Sequence, residues 1–317
     1  MPSNAKKKRP RWLKIARRIV VTLVGLSSVF FLLVVPLFFS WLVTSRQFNF
    51  PDRNVGRTPA TDNIGFEWID LETSDGLKLK GWYVPAHPSA PKGTIVFCHG
   101  LNRSRVEFID QAIFAHGLGY SSVMFDFRHQ GESEGEVTTL GYQERLDVLA
   151  AADYARQRLP DRPLIVWGIS MGAASALMAA AESEEISAVI SDSTFLSLED
   201  TVAHHARMFM KIPKYPVAQE VTYLIGWWGG FWPSALDIRD AVDRIGSRPI
   251  LFVAVEDDRR MPSTISRGLY QRAASPHKKL LVVPGNRHGG AFQSGGEEYK
   301  EAVRSFLEQV SGEDANQ

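Results

Sequence analysis

The sequence has a single cysteine, Cys98, so no disulfide within the chain is possible. It lies in the apolar run Thr94-Ile95-Val96-Phe97-Cys98, which reads as a buried core thiol and leaves the redox compartment open. No internal repeat or low-complexity run is present, which excludes solenoids and fibrous folds. There is almost no net charge, +1 over 317 residues. Two local absences are sharper. The first 18 residues contain no acid, yet hold Lys6, Lys7, Lys8, Arg9, Arg11, Lys14, Arg17 and Arg18. From Ile19 to Thr44 no residue is charged.

Without those eight basic residues, 28 remain against 35 acidic ones, so the rest of the chain is mildly acidic. That balance argues against nucleic acid as a partner, since a nucleic-acid reader carries its basic patch on the folded domain. The charge-free run forms a helix about 37 Å long at 1.5 Å per residue, enough to span a hydrocarbon core of about 30 Å. It is too long for a signal-peptide core and is followed by no Ala-x-Ala cleavage pattern. Trp12 and Trp41 fall near its ends, where amphipathic rings favour the interface, and Pro36 is a candidate kink. The organisation expected is therefore a basic cytoplasmic tail over residues 1–18, a single membrane anchor over 19–45 and a linker over 46–64. A domain over 65–317 follows, on the extracytoplasmic side by the positive-inside rule.

In that domain, continuous apolar strands alternate with helices, the pattern of a mostly parallel sheet covered on both faces. Phe66–Thr73 and Leu77–Val84 flank Ser74-Asp75-Gly76 as a hairpin. Strands are expected at Thr94–Cys98, Ser121–Phe127, Pro163–Trp167, Ala188–Ser191, Pro249–Val255 and Leu280–Val283. Helices are expected at Val106–His116, Thr138–Arg158, Met171–Glu182 and Glu297–Val310. Residues 195–240 break the rhythm as a long aromatic-rich insertion, a candidate lid.

One motif carries chemistry. Gly168-Ile169-Ser170-Met171-Gly172 joins a strand to a helix, with small residues two places either side of the serine. This is the pattern of a nucleophile elbow, which presents the serine hydroxyl at the top of a sheet and frees the next N–H, that of Met171. A plain Gly-Ser turn would look the same in isolation, so the partners decide. A serine hydroxyl needs a base, and the base an orienting carboxylate. With such an elbow the order is serine, acid, histidine. His288 lies in the glycine-rich loop after the last strand and is the candidate base. His277 falls at the opposite sheet edge. His204 and His205 are adjacent in the lid, point different ways on a helix and read as surface residues. The acid comes from Glu256-Asp257-Asp258, after the preceding strand. His99-Gly100-Leu101 follows an early strand, so the Leu101 N–H is the second oxyanion donor, with Gly100 admitting the substrate and His99 holding the loop.

These residues in this order resemble the serine-dependent α/β-hydrolase superfamily, in its esterase and peptidase-like branch, from about Phe66 to Val310. The resemblance rests on Asp75–Trp82, His99-Gly100-Leu101, the elbow, and Phe125–Ser133, which is similar to the family's Asp-x-Arg-Gly-x-Gly-x-Ser segment with His129 for its first glycine. In the family the acid often heads an Asp-x-x-Val-Pro pattern. Asp258-Arg259-Arg260-Met261-Pro262 is similar, with Met for Val, so the resemblance favours Asp258 over Asp257. It implies an α/β-hydrolase fold, which the charge-free run precedes with one transmembrane helix. It also implies an acyl-enzyme mechanism on Ser170, His288 and Asp258 that calls for no metal or organic cofactor. The expected substrate is a small-molecule or lipid-like acyl ester or thioester. A peptidase of the same fold and an inactive membrane-tethered scaffold are the alternatives.

Overall fold

In a computed structural model, residues 10–45, 54–86 and 91–312 are described. Part of the expected tail (1–9) and part of the expected linker (46–53) lie outside them.

The chain begins with one long helix. α1 (Arg11–Val29) continues through a π-helical turn (Phe30–Val34) into α2 (Val35–Thr44). The helix therefore takes in Arg11, Lys14, Arg17 and Arg18, ahead of the charge-free run. Pro36 has no N–H and its ring crowds the carbonyl four residues earlier. The wider π turn just before it absorbs that misfit. The 34 residues from Arg11 to Thr44 are long and apolar enough to cross a membrane. α1 buries none of its residues, whereas α2 buries Pro36, Ser40 and Thr44. At a spacing of four these share one helix face. Residues 54–64, expected to be a free linker, pack onto the body: Asn54 Nδ2 donates to the Val106 carbonyl at 3.1 Å and Arg57 pairs with Asp110 at 2.8 Å.

The body is built on one eight-stranded sheet. Its strands are β1 (Glu67–Glu72), β2 (Lys78–Val84), β3 (Gly93–Cys98), β4 (Tyr120–Phe125), β5 (Leu164–Ile169), β6 (Ala188–Asp192), β7 (Ile250–Val255) and β8 (Lys278–Val283). They run in the order β1-β2-β4-β3-β5-β6-β7-β8. β1 and β2 form the expected hairpin, β2 is antiparallel to β4, and the remaining pairs are parallel. Alternate side chains feed two cores. Val96, Cys98, Val166 and Phe252 face one side, and Ile95, Phe97, Trp167 and Leu251 the other. α3 (Ile109–Gly117) and α10 (Ala291–Ser311) cover the second face, while α4 (Glu144–Arg158), α5 (Met171–Glu182) and α8 (Ile238–Ile245) cover the first. The fold expected from the alternation, an α/β-hydrolase fold with a mostly parallel sheet, is the one observed.

Several expected boundaries move. The helix expected from Thr138 begins at Glu144, because Leu140 and Gly141 adopt positive φ and Glu144 turns back to bind the N–H groups of Thr139 and Gly141. α10 starts at Ala291 and bends at Gly296, φ +49°, so its first turn escapes a uniform 3.6-residue pattern. α9 (Ser263–Arg272) has no counterpart among the expected helices, since few of its residues are apolar. The lid is not irregular. It is a helical cap made of α6 (Leu198–Met210), a short π turn (Lys214–Ala218) and α7 (Gln219–Trp228), which packs along α2.

Candidate active site

Ser170 sits between β5 and α5 with φ +57° and ψ −117°, a backbone conformation that a side chain adopts only under constraint. Close packing supplies it. A Cβ at Gly172 would stand 1.9 Å from the Cys98 carbonyl oxygen, and one at Gly168 would stand 2.3 Å from the Gly172 oxygen. The two glycines let strand, turn and helix cross at backbone contact. The Ser170 N–H donates to the Asp192 carbonyl at 2.9 Å, which fixes the turn to β6. Ser170 is held at the sheet edge with 9% exposure.

The loop after β8 and the loop after β7 bring two partners to it. His288 Nε2 lies 2.9 Å from Ser170 Oγ, and His288 Nδ1 lies 2.7 Å from Asp258 Oδ2. A carboxylate can only accept, so Nδ1 carries the imidazole proton and the Nε2 lone pair faces the serine hydroxyl. Asp258 Oδ1 accepts from the Arg260 and Met261 N–H groups at 2.8 and 3.1 Å. Burial opposes charge on Asp258, but the His288 hydrogen bond and charge, with the two backbone donors, outweigh it and hold its pKa below the usual carboxylate value. Asp258 is buried while Asp257 is exposed, so Asp258 is the acid that meets His288.

The oxyanion candidates fall on two elements. Met171 is the first residue of α5, so its N–H has no partner within the helix. Leu101 sits in the loop after β3 and lines the same cavity as Ser170. In that loop the Gly100 N–H donates to Glu107 at 2.7 Å and the Asn102 N–H to Gln130 at 2.7 Å. His99 is fully buried. Its Nε2 accepts from the Phe127 N–H at 3.0 Å, which leaves the Nδ1 proton for the Gly100 carbonyl at 2.8 Å. Both ring nitrogens are thereby engaged in tying the loop to the end of β4. The Phe125–Ser133 segment braces the same region. Gly131, φ +53°, leaves room for the Asp126 carboxylate, which binds the Arg105 guanidinium and the Glu132 N–H.

Above Ser170 lies a cavity of about 350 Å³, lined almost wholly by apolar groups from three sources. Leu101, Leu140, Met171 and Met261 form its floor beside the serine. Phe195, Val202, Phe209 and Val221 come from the cap segment. Phe39, Leu42 and Val43 come from α2. His205 is also part of this wall, not the surface residue expected from the adjacent histidine pair, because α6 lays it against the cavity. Its Nδ1 bonds the Thr201 carbonyl at 2.9 Å, and burial, with Arg260 and His204 nearby, lowers its pKa to about 4. It is neutral at ordinary pH, so His205 adds no charge to a wall whose cationic member is Arg260. His277 is remote from the site and meets Gln309 at 2.9 Å.

Sequence reasoning missed the contribution of α2. The signal was present but faint: small or polar Pro36, Ser40 and Thr44 recur every four residues in an otherwise apolar helix, the mark of a face that packs on protein.

Comparison with known proteins agrees with this architecture. Residues 93–205 match the family model described as the alpha/beta hydrolase fold. The chain is 25% identical over 244 residues to YqkD of Bacillus subtilis, covering 76% of this chain and 79% of that protein. It is 24% identical over 260 residues to the membrane protein YNL320W of Saccharomyces cerevisiae, covering 80% and 84%. Among solved structures, an esterase from Pyrococcus furiosus superposes with a TM-score of 0.68 and 27% identity over 82% of this chain and 97% of the esterase. Strand order, the elbow after β5 and these matches lead to one assignment: the chain has the α/β-hydrolase fold, and residues 93–205 are similar to that family's model.

Proposed function

We propose that this hydrolase is a membrane-anchored serine esterase that acts through an acyl-enzyme. The observation that carries the reading is the unbroken line from Ser170 Oγ through His288 to Asp258, at 2.9 and 2.7 Å, beneath an apolar cavity. Ser170 attacks the acyl carbonyl as His288 Nε2 takes its proton. The Leu101 and Met171 N–H groups receive the oxyanion. His288 then protonates the leaving group, and the freed imidazole activates water to release the acid. Asp258 keeps the imidazole in the required tautomer and stabilises its charged form. The apolar wall suits the acyl chain of an ester or thioester better than a peptide, whose amides would lose water without new partners.

The helix from Arg11 to Thr44 supports the anchor, and one relative is itself named a membrane protein. Arg11, Lys14, Arg17 and Arg18 at its start favour a cytoplasmic N-terminus with the hydrolase body on the other side. A fluorophosphonate probe tests the chemistry. The parent should label and Ser170→Ala should not. Equal labelling of the two would remove the catalytic reading. A panel of acyl esters and aminoacyl amides then tests substrate class, and preference for amides would replace the esterase with a peptidase.

A further inference from the structure

The cavity over Ser170 is not closed by the hydrolase body alone. Phe39, Leu42 and Val43, from the last two turns of the apolar helix, complete its wall. The helix is held there by specific contacts. Pro36, Ser40 and Thr44 are buried against the body, the Trp228 indole N–H donates to Ser40 Oγ at 3.4 Å, and the Thr138 N–H donates to the Thr44 carbonyl at 3.2 Å. Small residues on that face let the helix approach α7 closely. Phe39 is only five residues from the helix end, about 7.5 Å along the axis.

The surroundings of the cavity are apolar outside as well as inside. Phe209 lines the cavity and is itself exposed. Trp227, Trp228 and Trp232, at 69%, 43% and 76% exposure, follow on and after α7, and Trp41 is exposed on α2. Exposed indoles flanking an apolar helix are the composition of a membrane interface. The bilayer is the neighbour that this continuity requires, because the same helix exposes apolar side chains along all of α1.

We infer that the end of the apolar helix is part of the substrate site. The cavity draws an acyl chain from the bilayer along Phe39 and Val43, and the substrate is an acyl ester that resides in the membrane. This inference rests on the proposed hydrolase and its anchor. It makes the helix a selectivity element for chain length as well as a tether.

Two measurements on the full chain in lipid vesicles or detergent separate this inference from the esterase reading. First, hydrolysis of dodecanoyl and acetyl esters is compared in Val43→Trp, which fills the wall, and in Leu33→Trp, at an exposed position that does not line the cavity. The dodecanoyl-to-acetyl ratio of kcat/KM should fall about tenfold or more in Val43→Trp and hold in Leu33→Trp. Second, in a Ser170→Ala background, dodecanoate should slow alkylation of Val43→Cys about tenfold, without slowing that of Leu33→Cys. The native Cys98 is buried and contributes little background. Equal ratios in both tryptophan variants, or equal alkylation with and without dodecanoate, would overturn the inference even if the parent hydrolyses esters. Absence of turnover or probe labelling in the parent would instead remove the esterase reading. The alkylation measurement would still decide whether the cavity takes a chain.

Discussion

Gly172→Ala is the substitution in which local and tertiary preference diverge most. Within a helix, alanine is favoured over glycine by about 1 kcal/mol. Gly268, in α9 with open space around it, should show that preference, and Gly268→Ala should stabilise by about that amount. At Gly172 the added Cβ would lie 1.9 Å from the Cys98 oxygen and 2.5 Å from the His99 oxygen, so more than about 1 Å of movement is needed to reach even a 3.0 Å contact. Neither neighbour is a flexible side chain. Cys98 ends β3 and is held in the sheet opposite Gly168 of β5. The loop that must yield carries Leu101. Overpacking of this kind costs about 1–3 kcal/mol, and each kcal/mol lowers the melting temperature of a body this size by about 2–4 °C. A displacement of the proposed oxyanion donor by about 1 Å costs about 100-fold in rate. Thermal unfolding and the rate of fluorophosphonate labelling, measured in Gly172→Ala and Gly268→Ala side by side, check both figures. Gly172→Ala melting with the parent and labelling within about twofold of its rate would refute the elbow geometry.

Other outcomes follow from the same contacts. Asp258→Asn removes the acceptor that sets the His288 tautomer, so turnover of a good ester should drop about 10⁴-fold with folding intact; circular dichroism and steady-state rates test it. Asp192 is buried under the elbow with its pKa pushed up to about 6 by desolvation. The folded chain therefore binds more protons there than the unfolded chain, and this group lowers stability as pH rises from about 4 through about 6. Asp192→Asn should abolish that component, gaining on the order of 2–3 kcal/mol at pH 7 relative to pH 4. Urea midpoints across that range read the effect, and an unchanged slope would reject it. Arg128 is buried between Asp147 and Asp75, and Asp147 sits fully buried with a pKa raised to about 7 by desolvation. Arg128→Leu should cost about 3–5 kcal/mol by stranding Asp147, and Arg128→Leu with Asp147→Leu should recover part of it, both read as melting temperatures.

Much of the site's frame is legible in the sequence because it is written in local chemistry. Gly168 and Gly172 announce a backbone crossing that admits no side chain. The glycines around His288 announce a loop at the sheet edge. Asp258 needs more than the residues alone, since three adjacent acids differ only in which way the folded loop turns them. Burial of Asp258 and exposure of Asp257 settle the contact with His288, and neither is encoded in composition. The start of α4 is obscured because Leu140 adopts a positive φ that its residue type disfavours, in a turn held by Glu144. His205 reads as a surface residue because a histidine pair on a helix says nothing about what the cap lies against. The role of α2 is hidden most deeply, since residues 39–43 and Ser170 meet only through tertiary packing.

That packing bears on how the protein can be taken apart. The hydrolase body and its apolar helix are easily thought of as separable modules, the second replaceable by any tether of suitable length. Here Pro36, Ser40 and Thr44 key the helix to the cap, and Phe39, Leu42 and Val43 finish a surface that the body leaves incomplete. A truncation that starts after residue 53 would keep Ser170, His288 and Asp258 but open one side of the cavity to water. Its preferences would then describe a different container, and grafting on a foreign apolar helix would restore the length without restoring the wall.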